Sequence, residues 1–251
     1  SFNLEHRFSS KSQISLNVFA LDASRYALGY RGNPKELNIN PVAAEDEQDA
    51  TGYLYNRDLQ KETYRNWGAE LKWLKRYSLG KQSSVLLIGS KFYKASNSAI
   101  QGPGSKASDA DFNLYTNEAI DYPNQSNFSF PNLNVSIFTE NIFTLSDKLS
   151  ITPGVRFEYI KTESKGSYTS LNYDLAGNVT SSSIIDESKL LERKFVLAGL
   201  GASYLQNEQL EVYGNLSQNY RSVTFSDIRI VSPNFSIDPS IKDENGLTAD
   251  L

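Results

Sequence analysis

The sequence predicts an all-β fold, an antiparallel transmembrane β-barrel of which this chain carries about eight or nine strands. Three observations predict it. Apolar and polar residues alternate with period two, the alternating blocks pair across very short polar turns, and the pairs are joined by long polar connections. A compact soluble domain seldom holds structureless connections beyond about 15 residues, so this rotation of short turns and long links counts against a soluble sandwich. Membrane strands hide half their residues from lipid, and a mean hydropathy of −0.45 is therefore compatible with a bilayer protein.

In the first pair, Phe2, Leu4 and Phe8 alternate with Asn3, Glu5 and Arg7. A turn at Ser9–Ser12 leads to Ile14, Leu16, Val18 and Ala20 on one face. The second pair runs from about Glu62 to Arg76, with Trp67, Ala69, Leu71 and Trp73 opposite Asn66, Glu70 and Lys72. It turns at Ser78–Gln82, where Gly80 is free to take a positive φ, and returns along Ser83–Tyr93 with Leu86, Ile88 and Phe92 facing out. In the third pair a strand through Leu133, Val135 and Ile137 reaches Phe143, turns at Leu145–Lys148, and returns as Leu149–Lys161. On the return Ile151, Val155, Phe157 and Tyr159 oppose Arg156 and Glu158. The fourth pair is Leu190–Leu205 and Leu210–Arg221, turned at Gln206–Glu208. There Leu210, Val212, Gly214 and Leu216 oppose Glu211, Tyr213, Asn215, Ser217 and Asn219, while Phe195–Leu205 is apolar at both parities and its facing stays open. A ninth strand begins at Gly246–Leu251.

The long connections, roughly Asp22–Lys61, Ala95–Asn132, Thr162–Lys189 and Ser222–Asn245, are expected as extracellular loops, and the tight turns as periplasmic ones. Phe8, Tyr77, Phe143, Phe157, Tyr159, Tyr204 and Tyr220 fall near strand ends, where aromatic girdles sit at headgroup level.

Composition removes other classes. Among 251 residues, 39% are hydrophobic and 22% charged, and 25 Lys+Arg against 29 Asp+Glu give −4, which fits neither a disordered polyelectrolyte nor a nucleic-acid binder. No run approaches the roughly 18 apolar residues of a spanning helix. With no Cys and one His, disulfides, thiol chemistry and multi-histidine sites are excluded from this stretch, and no enzyme is expected. The absence of Met reads as a processed chain or a piece of a longer one. Bacterial barrels close with an even number of strands, so a chain stopping in a ninth strand reads as an internal portion.

Few residues invite chemistry. His6 lies on an apolar parity without a second ligand and reads as structural. The acidic run Glu45–Asp49, and Asp109 with Asp111, lack calcium-loop spacing and read as solvated loops. The triplets at Asn127, Asn178 and Asn234 matter only in a eukaryotic secretory protein. Arg156 and Arg221 lie on polar parities, and a guanidinium holds carboxylates with two prongs at any relevant pH. The alternative for them is a lumen-filling ion pair, for example Arg156 with Glu158 or Glu211.

The stretch Ile151-Thr-Pro-Gly-Val-Arg-Phe-Glu-Tyr159, and SQNYRSVTFSDIRI at 217–230 followed by IDPSIKDENGLTADL at 237–251, resemble the TonB-dependent outer-membrane receptors. YRNWGAELKWLKRY at 64–77, QGPGS at 101–105 and FPNLNVSIFTENIF at 130–143 look similar to the ferric-dicitrate branch, as found in Bacteroidota. The resemblance implies a barrel of about 22 strands around an amino-terminal plug, with residues 1–251 part of that single barrel domain. Plug, TonB box and closing carboxy-terminal strand are not seen in this stretch.

It further implies a receptor in the bacterial outer membrane, surrounded by lipid, that takes up an iron chelate such as ferric citrate. TonB would act through the missing amino-terminal region. No resident cofactor is expected, and the metal is cargo. Arg156, Arg221, Gln101 and Asn219 are candidate ligand contacts from parity and position. The competing readings are an importer of heme, cobalamin or a glycan, a secreted β-rich adhesin, and a passive porin.

Overall fold

The computed structural model describes residues 1–29, 48–49, 52–53, 56–107, 111–117, 119, 122–123, 125–222 and 242–251. Alternation and β-rich composition give strands at every expected place: β1 (Phe2–Ser9), β2 (Ser12–Gly29), β5 (Asp58–Leu79), β6 (Gln82–Pro103), β7 (Ser126–Thr144), β8 (Leu149–Tyr173), β9 (Val179–Asn207), β10 (Leu210–Arg221) and β11 (Glu244–Asp250). They form one nine-stranded antiparallel sheet in the order β1-β2-β5-β6-β7-β8-β9-β10-β11, and β3 (Gln48–Asp49) and β4 (Gly52–Tyr53) make a separate two-stranded pair. The sheet is open, not a closed barrel. Every neighbour in it is a sequence neighbour among the long strands, so the ladder grows by simple hairpins.

Register shows what the alternation means. Leu4, Leu16, Leu71, Ser90, Ile137, Phe157 and Val196 lie opposite one another across seven strands, and the next rung pairs Ile14, Trp73, Ile88, Thr139, Val155 and Ala198. These side chains are exposed in carpet fashion: Leu71 42%, Ile137 58%, Phe157 44%, Val196 56%. Such a contiguous apolar surface is not left to water. On the other parity Asn3, Asn17, Glu70, Lys91, Ser136 and Glu158 share a rung. The register also fixes the facing of Phe195–Leu205: Val196, Ala198, Leu200, Ala202 and Tyr204 lie on the apolar face, and Phe195, Leu197 and Ser203 on the other.

The turns at one end are as short as expected, and Gly80 has φ 63°, a conformation in which a Cβ would be strained. The far end corrects the sequence reading. Thr162–Lys189 is not a loop but a continuation of β8 and β9, which pair through Tyr173↔Val179 around a turn at Asp174–Asn178. The expected loop Ala95–Asn132 is cut short because β6 continues to Pro103 and β7 starts at Ser126; Asp22–Lys61 is cut to 30–57 by β2 and β5. Glu45, Asp46, Glu47, Asp109 and Asn234 lie outside the described residues. At about 3.3 Å per residue β9 alone is about 95 Å long, far more than an apolar band of about 25 Å requires even when tilted.

A single sheet has almost no core. Among the described residues the buried apolar side chains are Leu59, Ala95, Pro103 and Phe128. Leu59 and Phe128 sit at the far end, where the segment after β6 folds back: Gly104 N donates to Arg57 O (2.6 Å), Tyr115 N donates to Pro103 O (2.8 Å), and the Arg57 side chain donates to the carbonyls of Ser105 (3.0 Å) and Ala107 (2.6 Å). Gly104 permits this closeness, since a Cβ there would stand 2.5 Å from Leu28 Cδ1.

Candidate functional site

The polar face carries the candidate site, and glycine builds its first part. Gly89 on β6 has no side chain where the Phe138 ring lies; a Cβ would meet Phe138 Cζ at 2.2 Å. Phe138 therefore lies across β6, and the Arg156 guanidinium stands over it, 5.1 Å from the ring centroid. Arg156 Nη2 donates to Ser136 Oγ (2.8 Å), and Nε donates to Glu158 Oε1. Glu158 is buried, and its Oε2 has no hydrogen-bond partner. Of the two ion pairs weighed for Arg156, the structure makes the one with Glu158.

A second cluster joins β9, β10 and the approach to β11. Arg193 Nε donates to both carboxylate oxygens of Asp243 (2.9 and 2.7 Å), and Tyr220 Oη donates to the same carboxylate. The Tyr220 ring stacks on Phe195 with centroids 3.8 Å apart, so Tyr220 works in this cluster rather than in a headgroup girdle. Phe157 is no girdle residue either, because it lies on the Leu71 rung within the apolar band. Tyr77, near its strand end, accepts a hydrogen bond from Asn141 Nδ2 through its hydroxyl (2.8 Å).

Arg156 and Gln101 lie on the polar face, while Asn219 and Arg221 flank Tyr220, whose side chain turns to Phe195 there; the four candidates are not brought together. Arg221 forms an exposed ion pair with Glu244 (3.2 Å) across β10–β11. Asn219 donates to Thr248 Oγ1 and borders a cleft of about 460 Å³ with Phe195, Leu197 and Asn245, where the β9–β10 ladder ends at Ser217↔Gly199. There the Gln218 side chain takes the place of backbone, accepting from Ala198 N (2.9 Å). Gln101 donates to Asp58 Oδ2 (2.9 Å) at the far end, about 40 Å along β6 from Gly89. Tyr122 Oη also donates to Asp58 (3.3 Å). Arg193, Asp243 and Asp58 were not singled out from sequence, since pairs so distant in the chain leave no local pattern. His6 is edge-on to Phe8 (4.6 Å) on the apolar face.

A family model described as TonB dependent receptor-like, beta-barrel matches residues 1–251. The sequence has no match among the curated proteins. Among solved structures the chain is similar to the ferric-catecholate import receptor Fiu from E. coli K12. For the closed form the TM-score is 0.61 at 12% identity, covering 98% of this chain and 36% of that one. For the open form it is 0.51 at 12% identity, covering 87% and 34%. The chain thus spans about a third of the length of these receptors.

Proposed function

The chain belongs to the TonB-dependent receptor β-barrel family, and from that premise we propose that it is a wall segment of a bacterial outer-membrane receptor that imports an iron chelate. The apolar face then lies against lipid. The polar face lines the lumen of a barrel of about 22 strands, around a plug on which TonB acts. No covalent chemistry is asked of the chain. The observation that carries this reading is the two-faced sheet, exposed and apolar on one side, charged and hydrogen-bonded on the other. The siderophore receptor fold it resembles is consistent with it.

The finer proposal is a ferric-citrate-like cargo, held by guanidinium groups on its carboxylates. Arg221 is the more available of the two arginines, because its pair with Glu244 is about two-thirds exposed on both sides and such pairs contribute about 0–1 kcal/mol. Arg156 is already fixed by Phe138, Ser136 and Glu158, so it presents a positioned charge rather than a mobile one. Asn219 and Gln101 would supply neutral hydrogen bonds, each at present committed to a neighbour.

Calorimetry on the full-length receptor in detergent tests both levels, with ferric citrate, iron-free citrate and heme titrated in turn. Saturable binding of ferric citrate alone, weakened about tenfold or more by Arg221→Ala, is the expected result. Binding of heme alone would move the receptor to another nutrient and retire the citrate proposal.

A further inference from the structure

Toward the far end of the sheet each pair of neighbouring strands stays hydrogen-bonded until one of the two ends, with one exception among the described residues. The ladder of β9 with β10 stops at Ser217↔Gly199, although β10 runs on to Arg221 beside β11 and β9 reaches back to Val179 beside β8. The sheet forks there. The fork lies within the apolar band, since Leu200 just below it and Val196 just above it are 52% and 56% exposed on the lipid-facing parity. Open strand edges are not left against hydrocarbon; at membrane depth they persist only where protein covers them or where they line a water-filled cavity.

Side chains, not backbone, close the fork. Gln218 Oε1 accepts from Ala198 N (2.9 Å), and beyond it the Tyr220 ring lies on Phe195 with centroids 3.8 Å apart. Further out Arg193 Nε donates to both oxygens of Asp243 (2.9 and 2.7 Å), and Tyr220 Oη donates to the same carboxylate. The Arg193 side chain is 7% exposed, so this is an enclosed latch rather than a surface pair. At the fork lies the cleft of about 460 Å³, and its walls include three consecutive residues of β9, Phe195, Val196 and Leu197, and two of β10, Gln218 and Asn219. Consecutive strand residues point to opposite faces, so a cleft walled by both is a gap in the sheet rather than a hollow on one side of it.

We propose that the β9–β10 seam is a lateral gate, a hydrated slot through the wall at the height of the outer half of the band, latched by Arg193 on Asp243 and by Tyr220 on Phe195. The proposal rests on the membrane-barrel reading above. Opening the latch takes rotation of side chains about their rotamers, whereas parting the wall elsewhere along β9 would unzip backbone pairs. The walls of the slot define what it admits. Phe195, Leu197 and Leu247 suit an alkyl arm, and the amide side chains of Gln218, Asn219 and Asn245 suit amide or hydroxyl groups carried beside it. A slender amphiphile offers both, while a compact ion or a bare hydrocarbon leaves half of the wall unmatched.

The test uses the full-length receptor in phospholipid vesicles and a charged, membrane-impermeant maleimide, with labelling read on the peptide by mass spectrometry. This stretch has no Cys, so each introduced thiol is the only one in it. Val196→Cys, on the lipid-facing parity but at the slot, is expected to react at least about tenfold faster than Leu200→Cys on the paired ladder below. Arg193→Gln in the same background is expected to speed that reaction about tenfold further, and the milder Tyr220→Phe to speed it less. Decanoyl-N-methylglucamide below its micellar concentration is expected to slow it, and N-methylglucamine, which lacks the arm, to leave it unchanged. Heat-modifiable migration on gels establishes that each variant has folded. Equally slow labelling of Val196→Cys and Leu200→Cys would overturn the slot, while rapid labelling of Ser203→Cys on the lumen parity would show that the barrel reading survives. An unchanged rate in Arg193→Gln would overturn the latch, and equal effects of the two additives would overturn the amphiphile. Leu200→Cys labelled as fast as Ser203→Cys would instead fail the barrel reading itself.

Discussion

The lower and upper halves of β8 and β9 are the same ladder in two solvents. From Ile151 to Tyr159 one parity is apolar and the other polar, and from Val196 to Tyr204 one parity is apolar while the other holds Leu197, Gly199, Gly201 and Ser203; beyond Thr162 and Lys189 both parities are polar or mixed, yet the pairing runs unbroken to Asn172↔Ser181. The difference teaches that alternation records a difference in environment between the two faces, not the presence of a strand. Where water lies on both sides the alternation fades and the strand remains, carried by Ser, Thr, Tyr and Ile and by the backbone ladder.

The strongest way to break this comparison is to put one charge on the same parity at two heights. Leu71→Arg and Val155→Arg lie within the band and are expected to cost about 2–4 kcal/mol each in folding into lipid vesicles. Ile184→Arg lies on the same parity of β9 but far beyond the band, with Ile184 already 75% exposed, and is expected to cost near zero. Asn66→Arg, on the polar face, should also cost much less than the two band variants. Denaturant titration of the full-length receptor in vesicles measures all four. Equal costs for Val155→Arg and Ile184→Arg would remove the boundary between the halves.

A smaller effect sharpens the comparison on the polar face. Arg156→Met strands the buried Glu158 carboxylate, one oxygen of which already lacks a partner, and is expected to cost about 2 kcal/mol. Arg221→Met removes an exposed pair and should cost no more than about 1 kcal/mol. If the same titration gives the reverse order, the Phe138–Arg156–Glu158 stack is not the anchored part of the face.

Much of the lower half was legible in the sequence for a physical reason: lipid and lumen differ so sharply that Leu133, Val135 and Ile137 could only be aligned one way, and Gly80 marked its turn. The upper half was misread because polar composition was taken for loop, although Ser181–Ile185 is as good a strand as any when both faces are wet. The candidate site was legible only as parity. That Arg156 shares a face with Glu158, and Asn219 with Arg221, follows from period two, but the strands and partners they meet depend on register between strands, which no local pattern encodes. Arg193 with Asp243 is the extreme case, a pair tied across the sheet by residues that give no hint of each other.

The smallest expected effect concerns the tip of the upper half. In the Asp174–Asn178 turn the Asp174 carboxylate accepts from Asn178 Nδ2 (3.0 Å), from Asn178 N (2.8 Å) and from Ala176 N (2.9 Å). These donors, the Asn178 side chain first, hold its pKa below the ordinary 3.8. Its folded value being the lower one, the stabilisation of the turn is fully present above the ordinary carboxylate range and is lost as pH falls through the depressed value. Hydrogen exchange at Ala176, Gly177 and Asn178 is therefore expected to stay protected at neutral pH and to quicken, beyond the intrinsic trend, only well into acid. Asp174→Asn should abolish that pH dependence, while Ser181 and Asn172 on the paired strands keep their protection. An acid transition that persists in Asp174→Asn would mean that the upper ladder, not its turn, is what acid opens, and that the two halves of β8 and β9 differ in stability as well as in solvent.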